Sequence, residues 1–594
     1  MKQFFKMFFA SMLAMIVSGV IIVAVIVGLV IGAVSKATSP KSVSTAVADN
    51  SVLVIDLDNE FHEQGESNSI PLFDDGGYNA GLYDAIKAIE YAQTDDKIKG
   101  ILIKTASSPN GFATLQQLRA AIKEFKGVNK FVYAYGEDIP QNAYYVASVA
   151  DSIYLNPVGD MELKGTATQL AFFKGTLEKL DLKPEIFYAG KFKSATEPLR
   201  ADKMSEPNRL QIAALQAEIW EEFLKAAAEH VNAPDTTIHN WANTGAVEFP
   251  EDALRLKLVD GLLYMDEVEQ RIRTKTGTKE KDEIKYVKLD EYAERVRKTN
   301  ESEDERVAVL FAEGGIVDGD NEDGDRQIAS VDMAKEIRKL AKNDKVKAVV
   351  LRVNSGGGSA LASEVILREL ELLHKKKPLV VSMGDYAASG GYYIACQADS
   401  IFAMPNTITG SIGVFGVMFN VSEMMKNKLG VTVDIEKNAK YADFPTAMRP
   451  LTEDEAQRVQ RSVDNIYTIF KTRVAKGRKM DIALVDSIAQ GRVWTGKAAL
   501  KNGLVDGLGG IDRAVASAAS LAKLKDYQVI TAPSPSDKFE KMMSRMGKFS
   551  SQAAVQAAIQ EETGVGYHYY KQMKKLYNMN GKTMMAMPFE LTIQ

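Results

Sequence analysis

Two windows of this chain repeat each other at a fixed distance, and a repeat of that size constrains the architecture more than any single residue does. "DKIKGILIKT" (Asp96–Thr105) resembles "DKVKAVVLRV" (Asp344–Val353), and "FVYAYGEDIPQNAYYVASVADSIYLNP" (Phe131–Pro157) resembles "LVVSMGDYAASGGYYIACQADSIFAMP" (Leu379–Pro405), both at an offset of 248. In the longer window Val132, Gly136, Tyr144, Tyr145, Ala147, Ala150, Asp151, Ser152, Ile153 and Pro157 recur identically. Single cores stop growing beyond about 250–300 residues, and the chain has 594. Two copies of one domain are expected, 51–300 and 305–532, between a leading segment 1–50 and a tail 533–594.

Each copy follows the same plan. An apolar run (Gly100–Ile103; Ala348–Leu351) reads as a buried strand and is followed by a Gly/Ser-containing turn. A helix comes next, with apolar spacing at Leu115, Leu118, Ile122 and Phe125 in one copy and at Ser363, Ile366, Leu370 and Leu373 in the other. A second apolar strand (Phe131–Tyr135; Leu379–Met383) leads to another turn and helix. This is an α/β fold of βαβ units with parallel strands and right-handed crossovers. Ligands of such sheets collect at the carboxyl ends of the strands, so the two turns converge on one site.

In the second copy those turns are "NSGGGSA" (Asn354–Ala360) and "GDYAASGG" (Gly384–Gly391). Ser389 stands where a helix begins, among small neighbours that let a peptide backbone approach its hydroxyl. The N–H of Gly390, at a helix start, faces a developing negative charge, and Gly357 or Gly358 offers a second donor. The alternative is that serine and glycine are ordinary turn and N-cap residues. The glycines lack the Lys-Ser/Thr ending of a phosphate loop and the spacing of a dinucleotide fingerprint, and Ala387 breaks a Gly-x-Ser-x-Gly elbow.

A serine nucleophile needs a base. The five histidines, His62, His230, His239, His374 and His568, offer neither a metal-binding pair nor a clear triad member. Lysine is the known alternative, provided burial lowers its pKa from about 10.4 by roughly 3 units.

"NSGGG", "AASGGYYIACQADSIFAMPNTITGSIGV" and "GKFKSATEPLR" (Gly190–Arg200) resemble the motifs of the signal peptide peptidase A, or protease IV, family in its long, membrane-anchored, tandem-domain form. The resemblance runs from the leading segment to about Ala532. It implies a fold akin to the Clp protease and crotonase group, a Ser/Lys dyad without metal or organic cofactor, and digestion of signal peptides left in the membrane after secretion. It also implies a homotetrameric bowl. Carried over, Ser389 is the nucleophile, Lys193 the base and the glycine loop the oxyanion contact, with Ser194 a supporting residue. Proline is usual where this chain has Gly356.

The repeat tests that assignment without the family. At the offset of 248, Ser389 faces Gln141; past a one-residue shift, Lys193 faces Ala442. Each copy lacks what the other keeps, as a dyad shared between halves requires. The rival Lys191 aligns with Lys440 and is present in both copies. Two other readings fit the same fold: a silenced membrane-bound scaffold, and an acyl-CoA enzyme of the crotonase kind.

Residues Met7–Val34 carry no charge and exceed the ~20 residues that span a bilayer. They read as an uncleaved anchor, with the N-terminus cytoplasmic and the domains on the periplasmic side of a bacterial inner membrane. The expected partners are therefore the lipid bilayer and apolar, unfolded peptides, signal peptides among them. The net charge of −5, without basic stripes, argues against nucleic acid. The lone Cys396, in an apolar run, reads as a buried thiol. The tail is Met-rich and partly helical in pattern, fitting a subunit contact, a lipid-facing element or a loose extension alike.

Overall fold

The computed structural model describes residues 47–67, 78–298, 304–321, 326–534 and 581–587. The apolar stretch 7–34 lies outside them, and no described helix is long and apolar enough to cross a membrane.

The front half is built on a six-stranded parallel sheet. Its spatial order is Gly261–Leu262, Ser152–Leu155, Phe131–Gly136, Ile98–Lys104, Ser51–Asp56 and Tyr286–Lys288. Strands start at Ile98, Phe131 and Ser152, and in the rear half at Val346, Leu379 and Ser400, which is the repeat offset each time. The helices between them, Phe112–Lys126 and Ala360–His374, bury Leu115, Leu118, Ile122 and Phe125 in one half and Ser363, Ile366, Leu370 and Leu373 in the other. The apolar spacing of each helix therefore selects the face that packs on its sheet.

Six elements position the site: β1 (Lys183–Ala189), β2 (Val346–Ser355), β3 (Gly357–Ser359), β4 (Leu379–Ala388), β5 (Val414–Asn420) and β6 (Thr583–Ala586). In the rear sheet β4 and β2 are followed by Arg306–Glu313 and Gln528–Ala532, all parallel. Both β2 and β4 have ten residues where their front counterparts have seven and six. The added length pairs Ser355 with Ala387 and Tyr386–Ala388 with Ile408–Gly410, carrying the chain past the sheet to the site.

A third sheet crosses the boundary between halves, in the order Gln327–Ala329, Gly315–Val317, β3, β6, β5, β1. The glycine-rich turn expected at 354–360 is in part a strand. Gly357 has φ +95°, and a Cβ on Gly358 would collide with the backbone of Ile316. Glycine is required there because two strands approach without room for a side chain. Gly356 has no such constraint from φ, and its carbonyl accepts from Met587 N at 2.6 Å. Of the tail, residues 583–586 form a strand.

The halves are locked together by polar groups drawn out of water. Arg352, fully buried on β2, places Nε 2.7 Å and Nη2 3.2 Å from the Glu63 carboxylate, and Nη1 donates to Ser382 Oγ and the Met383 carbonyl. Asp385 accepts from Thr114 N at 2.9 Å and Thr114 Oγ1 at 2.6 Å, which fixes the start of a front helix against β4. Removing one partner of a buried pair strands the other charge at a cost of about 3–5 kcal/mol. Arg352→Met is expected to destabilise the chain by that amount, and Glu63→Gln in the same chain to recover part of it, as read from denaturant midpoints.

Candidate active site

Ser389 precedes the short helix Gly390–Ala395 and occupies its N-cap position, yet its hydroxyl caps nothing. Its backbone has φ 55° and ψ −115°, a region costly for a residue with a Cβ. The surroundings over-determine that conformation. Ser389 N donates to the Gly410 carbonyl at 2.8 Å, and Tyr393 N donates to the Ser389 carbonyl at 2.8 Å. The hydroxyl is left to another partner.

That partner comes from the front half. Lys193 Nζ lies 2.8 Å from Ser389 Oγ, 3.0 Å from Ser411 Oγ and 3.2 Å from the Ser411 carbonyl oxygen. Lys193 is 1% exposed and Ser389 fully buried. The three partners of the amine are uncharged, and burial holds its pKa well below the usual 10.5. A neutral amine has two N–H donors and one lone pair. With both N–H groups directed to the oxygens of Ser411, the lone pair is free to take the Ser389 proton. Sequence patterning does not distinguish Ser411 from its neighbours, its one signal being its place in "TITGSIGV"; the structure gives it a positive φ of 49°.

Close backbone contact brings the lysine in. A Cβ on Gly491 (φ +74°) would lie 2.7 Å from Lys193 Cβ, and one on Gly190 (φ +104°) 2.5 Å from Gln490 C. Phe192 N donates to the Gln490 carbonyl at 2.8 Å. The Ser194 hydroxyl is engaged with neither the Lys193 amine nor the Ser389 hydroxyl. Its hydroxyl donates to Asn208 Oδ1 at 2.9 Å and accepts from Gln211 Nε2 at 3.0 Å. Asn208 Nδ2 donates in turn to Glu197 at 2.8 Å, and Gln211 Oε1 accepts from Val493 N of the rear half at 3.3 Å. Asn208, Gln211 and Glu197 thus tie the lysine loop down, a role that sequence patterning leaves invisible because all three read as ordinary polar helix residues. Lys191 is exposed, its amine 5.4 Å from the Phe192 ring centroid.

The glycines divide their tasks. Gly357 N donates to Ser355 Oγ at 3.1 Å, so its N–H is already used. Gly358 N stands 3.1 Å from where a Cβ of Gly390 would be, which brings Gly358 against the residue that follows Ser389. In the front copy Gln141 stands in place of the serine. Its Oε1 accepts from Lys164 N and Gly165 N at 3.1 Å, and its Nε2 donates to the Gly165 carbonyl at 2.9 Å. Ala442, opposite Lys193 in the repeat, is exposed. Cys396 is buried away from this chemistry, its thiol pushed up to about 12 by desolvation.

With this geometry in place, comparison with known proteins is informative. The model of peptidase family S49 matches residues 124–279 and 371–525, one stretch in each half. The chain is 37% identical to "Protease 4" of Salmonella typhi, over 75% of this chain and 73% of that one. It is 35% identical to "Protease 4" of Haemophilus influenzae (74% and 72%) and 30% identical to "Serine protease SPPA, chloroplastic" of Arabidopsis thaliana (77% and 68%). A solved ClpP1 mutant from Listeria monocytogenes aligns with 35% of this chain and 94% of its own, at 14% identity and a TM-score of 0.24.

A buried amine whose pKa falls on folding makes stability depend on pH. Between the depressed folded pKa and the unfolded value near 10.5, the unfolded chain binds one more proton, so stability rises with pH across that window. Each unit of depression costs about 1.4 kcal/mol at pH values below the folded pKa. Lys193→Met keeps the apolar stem and removes this cost. The variant is expected to be more stable than the parent at neutral pH, with the gap closing toward pH 10, as followed by chemical denaturation across pH.

Proposed function

Since the chain belongs to peptidase family S49 and is a serine protease, we propose that Ser389 is its nucleophile and Lys193 the base. The observation that carries this reading is the 2.8 Å contact between a desolvated amine of one half and a lone hydroxyl of the other. Neutral Lys193 takes the Ser389 proton as Oγ attacks a peptide carbonyl. The amides of Gly390 and Gly358 receive the oxyanion. Lysine then protonates the leaving amine, and water cleaves the acyl-enzyme. A peptide adds as an extended strand between β3 and β5, where main-chain pairing supplies affinity and alternate side chains supply specificity.

The substrates proposed are apolar, unfolded segments, signal peptides among them, met at the membrane by domains that the stretch 7–34 anchors on the periplasmic side. The assembly proposed is a homotetramer closed head to tail. Support comes from the repeat itself. Within the chain β1 of the front half pairs with β5 of the rear half. Their repeat counterparts, 432–438 in the rear half and 166–172 in the front half, belong to no strand, and 432–438 is exposed throughout. Val433 and Ile435 are 51% and 38% exposed there. The rear arm of one copy meeting the front edge of the next would repeat the internal pairing, a heterologous contact that closes into a ring.

Two outcomes are expected. With a fluorogenic apolar peptide, Ser389→Ala and Lys193→Ala lower kcat/KM by at least about 10³-fold, whereas Lys191→Ala leaves it near the parent value. Activity rises with pH as Lys193 loses its proton, with a midpoint well below 10.5. Full activity in Ser389→Ala would overturn the assignment of Ser389 as nucleophile, and a folded parent without activity would favour the silenced scaffold. Separately, Val433→Lys with Ile435→Lys is expected to shift the solution mass by light scattering from tetramer toward monomer while the fold persists.

A further inference from the structure

The third sheet contains a strand that neither repeat supplies. β6 lies between β3 and β5 and runs antiparallel to both, pairing Gly357 with Ala586, Gly358 with Met585, Ser359 with Met584, and Phe415 with Met584. Gly581 N donates to the Val417 carbonyl at 2.9 Å at one end, and Met587 N to the Gly356 carbonyl at 2.6 Å at the other. Without β6, the glycine strand and β5 would be separated by a slot one strand wide, about 10 Å from strand to strand. The chain fills, with its own residues, the slot in which a peptide substrate is proposed to bind.

Register places one carbonyl of this strand at the chemistry. Hydrogen-bonded pairs alternate along an antiparallel ladder. Met587 bonds to Gly356, so the next bonded pair is Met585 with Gly358, and the Gly358 N–H faces the Met585 carbonyl. The same oxygen is crowded against the residue after the nucleophile. A Cβ on Gly357 would collide with Met585 O and lie 2.6 Å from Gly390 N, and a Cβ on Gly390 would lie 3.0 Å from Met585 O. That is the position assigned above to a substrate's carbonyl oxygen.

The side chains alternate to match. Met585, 1% exposed, enters the rear core, while Met584 and Ala586 pack with Leu177, Leu199, Phe415 and Val417. Backbone is seated on both sides of Met585, from Thr583 through Met587. This is the arrangement of a substrate spanning the scissile bond rather than of a product ending at it.

We infer that the chain is a substrate of its own active site and is cut between Met585 and Ala586. The inference rests on the Ser389/Lys193 reading above. Ser389 Oγ forms a bond to the Met585 carbonyl carbon, and the bond from that carbon to Ala586 N breaks. Lys193 carries the serine proton to the departing amine. Water then hydrolyses the ester, restoring the serine hydroxyl and leaving a Met585 carboxylate. Until the segment is cut or withdraws, a foreign peptide has no slot between β3 and β5.

The test is intact-mass spectrometry of the detergent-solubilised full chain beside its Ser389→Ala variant, each assayed on a fluorogenic apolar peptide. The parent is expected to end at Met585 and the Ser389→Ala variant to retain everything beyond it. A parent that hydrolyses the foreign peptide yet keeps the residues after Met585 overturns self-cleavage and leaves the dyad reading intact. A parent that does neither overturns both. Met585→Asp, which sets a carboxylate into the apolar site, is expected to slow its own truncation at least tenfold, with hydrolysis of the foreign peptide reporting that it has folded. Truncation at the parent rate in that variant would also refute the inference.

Discussion

An amine buried without a counter-charge is tolerable only when neutral, and the structure around Lys193 is arranged for that condition. Its partners, Ser389 and both oxygens of Ser411, are uncharged, and burial disfavours the ammonium form. Neither half could exclude water from this contact alone. The lysine loop rests on Gln490 and Gly491 of the rear half, and is held from behind by Ser194, Asn208, Gln211 and Glu197 of the front half. The φ of 55° at Ser389 is paid for by the same packing, which presents the hydroxyl to the amine instead of to the helix start.

This division of labour accounts for the asymmetry of two otherwise parallel halves. The front copy keeps the frame and replaces the serine with Gln141, whose amide satisfies neighbouring backbone groups. The rear copy keeps the serine and extends β2 and β4 beyond their front counterparts, so that Asn354, Ser355 and Asp385 reach the boundary. Asn354 Oδ1 accepts from Tyr386 N at 3.0 Å, and Asp385 holds Thr114 across the boundary. Asp385 is thus a joint between halves, and burial raises its pKa. The Arg352–Glu63 pair fixes the same boundary deeper in. Such a pair adds little net stability over a well-packed apolar contact, but it specifies one alignment of the halves.

Much was legible before the fold was known, because a strand period, a helix period and a repeat offset are local properties. The parallel α/β sheets, the helical core positions and the replacement of Ser389 by Gln141 in the front copy all follow from patterns within a few dozen residues. Other features were not. Ser411 is one hydroxyl among several in "NTITGSIGV", Ser194 reads as readily as a catalytic helper as the loop anchor it is, and nothing in "NSGGG" separates Gly357, whose N–H is taken by Ser355, from Gly358. The tail's helical pattern gave no warning that residues 583–586 would form a strand between two distant segments. A short strand of this kind is selected by the edges it joins and not by its own sequence.

By itself, then, the amino-acid sequence determined a doubled α/β chain in which Ser389 is matched by Gln141 in the front copy and Lys193 by Ala442 in the rear copy, since those facts depend only on order and spacing along the backbone. The tertiary structure alone decided that groups 196 residues apart meet at 2.8 Å in dry, uncharged surroundings, and that the chain's last described strand lies beside them. Distance and desolvation arise from how the halves pack, and no pattern within either half encodes them.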